Sequence, residues 1–192
     1  MIEVLNEAGA DVDERALVDV ARHVLDRMGV SPQAELSISI QDAAEMERLH
    51  VQYMDLPGPT DVLAFPMDEL DLRGSRGVPQ GSGAEDEEAA PTLLGDVVLC
   101  VEVAERQARE AGHSTLDELQ LLTAHGVLHL LGFDHAEPDE HAEMFGLQAE
   151  LLASFRSGGA SGDGGEPADG AQAEQQGGGA GDRGEQEPGL RA

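Results

Sequence analysis

Two stretches of this chain hold too little apolar surface to fold, and they bound what the rest can build. From Ser157 to Ala192, 36 residues include twelve glycines, and Leu190 is the only large apolar side chain among them. Such a segment cannot offset the roughly 1–2 kcal/mol per residue that ordering a backbone costs, so residues 157–192 read as a disordered Gly/Glu-rich tail. Asp71 to Pro91 has the same character: Gly74, Gly77, Pro79, Gly81 and Gly83 lead into Glu85-Asp86-Glu87-Glu88. It separates two apolar segments that look like sequential strands and reads as a flexible acidic insert, 71–91, with the acidic run as solvated loop. About 135 residues remain within 1–156, enough for one core and one domain.

Charge narrows the function. The chain carries 39 acidic residues against 11 basic ones, all arginine, for a net charge of −28. The tail holds seven acids and two arginines, so nine arginines and thirty-two acids, net −23, stay on residues 1–156. Charge argues against a free-standing basic nucleic-acid-binding domain, because such domains neutralise phosphates with clustered Lys and Arg. No apolar run is long enough to span a membrane. Met1 to Asn6 lacks the basic flank and apolar core of a signal peptide. Cys100, the one cysteine, has no partner for an internal disulfide and reads as a small buried residue. The expected location is the cytoplasm.

Periodicity predicts strands at Ile2–Leu5, Glu35–Ile40, Val62–Phe65 and Leu94–Val101. Helices are predicted at about Asp13–Met28, from Asp42 to about Tyr53, and at Glu102–Ala111, Leu116–Leu131 and Pro138–Phe155. Asp42 and Ser114 are placed as N-caps, Gly29 as a helix end, and Pro57-Gly58-Pro59 as a stop. Strands come early and helices late, with one βαβ-like alternation. The expected class is α+β: one small mixed sheet packed with about five helices and a metal site at the end of a late helix.

That site rests on histidine spacing. His125, His129 and His135 fall within eleven residues. At i and i+4 on a helix, His125 and His129 project from one face and can grip one ion. A continued helix would turn His135 roughly 120° away, so the chain must leave the helix first, and Gly132 sits where a left-handed residue would release it. Gly126 costs the helix roughly 1 kcal/mol relative to Ala, and close backbone approach beside the metal is the expected gain. Three imidazoles with an open fourth position are the ligand set of a catalytic zinc site, with metal-bound water as the attacking species. The other reading makes them partly buried helix residues and a loop residue. His23, His50, His113 and His141 lack such company and read as surface or half-buried polar residues.

The spacing matches the metzincin protease signature H-E-x-x-H-x-x-G-x-x-H, except that Gly126 stands where the general-base glutamate belongs. That weakens peptide hydrolysis and leaves phosphodiester hydrolysis open.

The run His125-Gly126-Val127-Leu128-His129-Leu130-Leu131-Gly132-Phe133-Asp134-His135 resembles the signature of the YbeY family, bacterial rRNA maturation factors. Two further segments agree: Pro59-Thr60-Asp61-Val62-Leu63-Ala64-Phe65-Pro66 and Leu94-Gly95-Asp96-Val97-Val98. The resemblance covers about residues 1–155. It implies a small α+β domain with one Zn2+ per chain on the three histidines. It also implies single-strand-specific endoribonuclease activity on ribosomal RNA, small-subunit 3′-end maturation and ribosome quality control. Many members carry an arginine in a Tyr-Arg segment; this chain reads Tyr53-Met54, with Arg48 six residues away.

With net −23 on the domain, free RNA is repelled, so the substrate is expected on the small ribosomal subunit or from a protein partner. Asp134 could orient an imidazole or cap the next helix; Thr60 and Asp61 could line the cleft or shape a turn. Two alternatives to the nuclease stand: a metal-dependent hydrolase of a peptide or small ester, and a non-enzymatic ribosome-assembly factor.

Overall fold

The computed structural model describes residues 1–67 and 92–159. The expected insert at 71–91 therefore lies outside the described residues. Of the expected tail, only residues 157–159 are described, and they prolong the last helix. The elements run β1 (Ile2–Asn6), α1 (Glu14–Arg27), β2 (Glu35–Gln41), α2 (Ala43–Met54), β3 (Val62–Pro66), β4 (Leu93–Cys100), α3 (Val101–Ala111), α4 (Thr115–Leu130) and α5 (Pro138–Gly159). Helix starts follow local chemistry: Asp13, Asp42 and Ser114 each accept the amide three residues on, at Ala16, Glu45 and Asp117. Each bond satisfies a donor that the first helical turn leaves unpaired.

The strands form one mixed sheet of order β1-β2-β4-β3. β1 pairs parallel with β2 across the α1 crossover, β2 parallel with β4, and β3 antiparallel with β4 at the edge. Strand alternation divides the core in two. Leu36, Ile38 and Ile40 of β2, with Leu94, Val97 and Leu99 of β4, join the larger cluster with residues of α1, α4 and α5. Leu63, Val98 and Cys100 face the other way, onto Met46 of α2 and Val103 of α3. Register carries this to the edge: Val62 and Ala64 pair with Leu99 and Val97 on the first side, and Leu63 with Val98 on the second.

Helix α4 is the pivot. It packs on β3 and β4 and against α1, α3 and α5. Leu119, Leu122, Ala124, Val127, Leu128 and Leu130 are all buried, so α4 has little apolar asymmetry and reads as an interior helix. Gly126 explains how close α4 lies to the sheet. A Cβ there would stand 2.7 Å from Val97 Cγ1 and 3.3 Å from Val62 Cγ2. The room it gives is therefore for the sheet, which corrects the expectation that it clears space beside a metal.

Gly126→Ala should destabilise the fold by about 1–3 kcal/mol despite its better helix propensity, because Val97 has packed neighbours on its other sides. Urea denaturation measures this; an unchanged or raised midpoint would refute it.

Candidate metal centre

The end of α4 does what the histidine spacing requires. Gly132 sits at φ 87°, its amide bonds to the His129 carbonyl at 3.0 Å, and the Phe133 amide bonds to the Leu128 carbonyl at 3.1 Å. This paired closure satisfies the last carbonyls and turns the chain sharply, which only a residue free to adopt positive φ does without strain. The turn brings His135 back over the helix. Ring centroids lie 4.7 Å apart for His125–His129, 5.4 Å for His125–His135 and 5.1 Å for His129–His135.

One nitrogen from each histidine falls within 4.8 Å of the other two, so the triad could hold a metal ion. The donor chemistry fits. Gln148 Oε1 lies 2.9 Å from His125 Nδ1; with an amide oxygen able only to accept, this contact is a hydrogen bond when Nδ1 carries the proton, the tautomer that leaves the Nε2 lone pair for a metal. That Nε2 lies 3.1 Å from His129 Nε2, near the roughly 3.3 Å set by two zinc–nitrogen bonds of about 2.0–2.1 Å in a tetrahedron. Burial pushes the pKa values of His125 and His129 below the ordinary imidazole value, which favours the neutral, ligating form.

The triad opens onto a cavity of about 800 Å3, also lined by Met54, Thr60, Asp61, Gln107, Glu118 and Phe145, among others. Thr60 and Asp61 thus stand in the same cavity as the histidines. Asp61 Oδ1 accepts from the Val62 amide at 2.8 Å and from Thr60 Oγ1 at 3.1 Å, and Oδ2 accepts from Gln107 Nε2 at 2.8 Å. Burial raises its pKa, but these bonds outweigh it and hold the carboxyl below its ordinary value. Asp134 also lines the cavity; its Oδ1 accepts the His135 amide at 2.7 Å, so it bears on that histidine through the backbone, while α5 starts only at Pro138. Glu118 is buried on the wall beside α3, 3.0 Å from His113 Nε2, and burial raises its pKa although His113 lowers it.

Periodicity did not mark Gln148, Gln107, Glu118 or Phe145. Gln148 lies 23 residues after His125, and only the packing of α5 against α4 unites them. His141, read as isolated, stacks on Phe145 at 4.2 Å and lies 6.4 Å from the His135 ring. His23 and His50 pair elsewhere, with Ser154 and the Gly58 carbonyl.

The family described as Endoribonuclease YbeY matches residues 3–156. The chain belongs to this family. Among curated YbeY endoribonucleases, that of Acidothermus cellulolyticus is 59% identical over 157 residues, covering 81% of this chain and 92% of that protein. That of Salinispora tropica is 60% identical over 156 residues, covering 81% and 96%. A solution structure from Thermotoga maritima superposes with a TM-score of 0.53 at 24% identity, covering 87% of this chain and all of that one, and shows the same fold. Within this YbeY frame, the site a metzincin fills with glutamate is Gly126, packed on Val97 and Val62 with no space for a carboxylate base.

Two outcomes follow from this geometry. Gln148→Leu should leave the fold intact and weaken zinc binding about 10–100-fold, read by competition with a chelating dye, because His125 loses the acceptor that sets its tautomer. Glu118→Gln should match or exceed the parent's stability at pH 7.5. A carboxyl whose folded pKa is raised costs stability once ionised, so the difference should vanish below about pH 4, where Glu118 is neutral in both states. Denaturation at the two pH values checks the sign.

Proposed function

We propose that this chain is a zinc-dependent, single-strand-specific endoribonuclease that matures ribosomal RNA in the cytoplasm, at the small-subunit 3′ end, and serves ribosome quality control. The observation that carries this reading is the convergence of three histidine nitrogens within 4.8 Å on an open cavity, in a chain of the YbeY endoribonuclease family. His125, His129 and His135 would hold the ion. A bound zinc supplies Lewis acidity toward a phosphoryl oxygen and acidifies a coordinated water.

The chain's own residues prepare that site. Gln148 fixes the His125 ring, and Asp134 ties down the backbone of His135. Asp61, braced by Gln107, Thr60 and the Val62 amide, forms a fixed part of the cavity wall. Among the described residues lining the cavity, Asp61, Glu118 and Asp134 are acidic and none is arginine. Side-chain charge therefore does not draw a phosphate in, and Met54 adds no cation there. Presentation of the strand on the small ribosomal subunit, or by a protein partner, would supply the encounter that charge does not.

Zinc analysis by mass spectrometry and cleavage of a labelled single strand and its duplex test this together. About one zinc per chain and cleavage of the single strand but not the duplex, weak alone and strengthened by added small subunits, are expected, both lost or sharply reduced in His129→Ala, with circular dichroism unchanged. Zinc-loaded protein that leaves the strand intact, even with small subunits added, would overturn the nuclease reading.

A further inference from the structure

We propose that Phe145, with His141 stacked against it, is a platform on which a nucleobase next to the scissile phosphate of single-stranded RNA packs; this rests on the nuclease reading above. Phe145 is one of four phenylalanines in a chain with one tyrosine and no tryptophan, and it keeps 38% of its surface exposed. Its helix neighbours Met144 and Gln148 are buried, so α5 already has its core contacts without this ring.

Phe145 lies instead on the cavity side, its ring 5.7 Å from that of His125 and 5.8 Å from that of His135. His141, one helical turn earlier, lies nearly parallel to it, at 22° and 4.2 Å. Two stacked rings at the edge of a triad that would bind a phosphate stand about one nucleotide's reach from it. Bases offer a π-face whatever the sequence, and stacking draws no strength from charge. That suits a cavity whose described lining holds three carboxylates and no arginine. The platform also favours single strands, since a duplex has its base faces already stacked and cannot splay one out cheaply.

The absence of tryptophan makes the test direct, because Phe145→Trp introduces the chain's single indole fluorophore. An uncleavable 2′-O-methyl single strand should quench it, the same strand in a duplex should not, and an abasic nucleotide at the flanking position should remove the effect. Phe145→Leu keeps the apolar bulk and loses the ring; its KM for single-stranded RNA should rise roughly ten-fold, within the range for losing one base–aromatic stack. On the abasic strand, parent and Phe145→Leu should have equal KM, with zinc content as in the parent. No quenching, or a KM loss equally large on the abasic strand, would overturn the platform while leaving the nuclease intact. A parent protein that cleaves nothing, even with small subunits added, would overturn the nuclease, and the quenching alone would then decide the platform.

Discussion

The contact between Gly126 and the side chains of Val97 and Val62 sets the depth at which α4 lies on the sheet. His125 and His129 on the helix take their height above β3 from that depth. Position 126 faces the sheet, whereas His125 lines the cavity and His129 lies one turn farther along the same side. A larger residue at 126 would lift the helix away from Val62, and Asp61 next to it lines the same cavity as the triad. Packing in the core and the width of the site are therefore one variable.

The second constraint is the helix end. The closure at Gly132 satisfies the carbonyls of Leu128 and His129 and reverses the chain within a few residues. This lets two histidines of the triad come from rigid helix and the third from a short loop. That loop is held by the Asp134 contact to the His135 amide, and α5 follows at once with Gln148 and Phe145. Gln148 and Phe145, which touch the triad, come from α5, whereas Asp61, just before β3, and Gln107 of α3 line the same cavity.

Much of this was legible in one dimension because it is local. Apolar alternation and capping residues placed each element within a few residues, since the groups that decide them are neighbours in the chain. The triad was legible for the same reason: i, i+4 and a glycine break are helix geometry. What escaped is what only tertiary packing joins. Gln148 is one glutamine among several until α5 lies against α4, and Gln107 means nothing until α3 crosses beside Asp61. Gly126 was misread for a related reason, because spacing shows that a side chain is missing and not which neighbour needs the space. His141 looked solitary because its partner, Phe145, is four residues along an exposed face.

The acidity of the domain looks at first like an obstacle to handling a polyanion, yet the carboxylates in the cavity are committed. Asp61 accepts three hydrogen bonds, Glu118 faces His113, and Asp134 is bound to a backbone amide. Each is oriented by its donors, and the bonds on Asp61 keep it ionised and fixed. Burial, in turn, lowers the pKa values of His125 and His129 and so favours the neutral form that metal ligation uses. Burial acts on both kinds of group, but hydrogen bonding decides which of them stays charged. The cavity's side chains thus hold the triad in place, while under the proposed function the approach of the strand would fall to stacking and to whatever presents it.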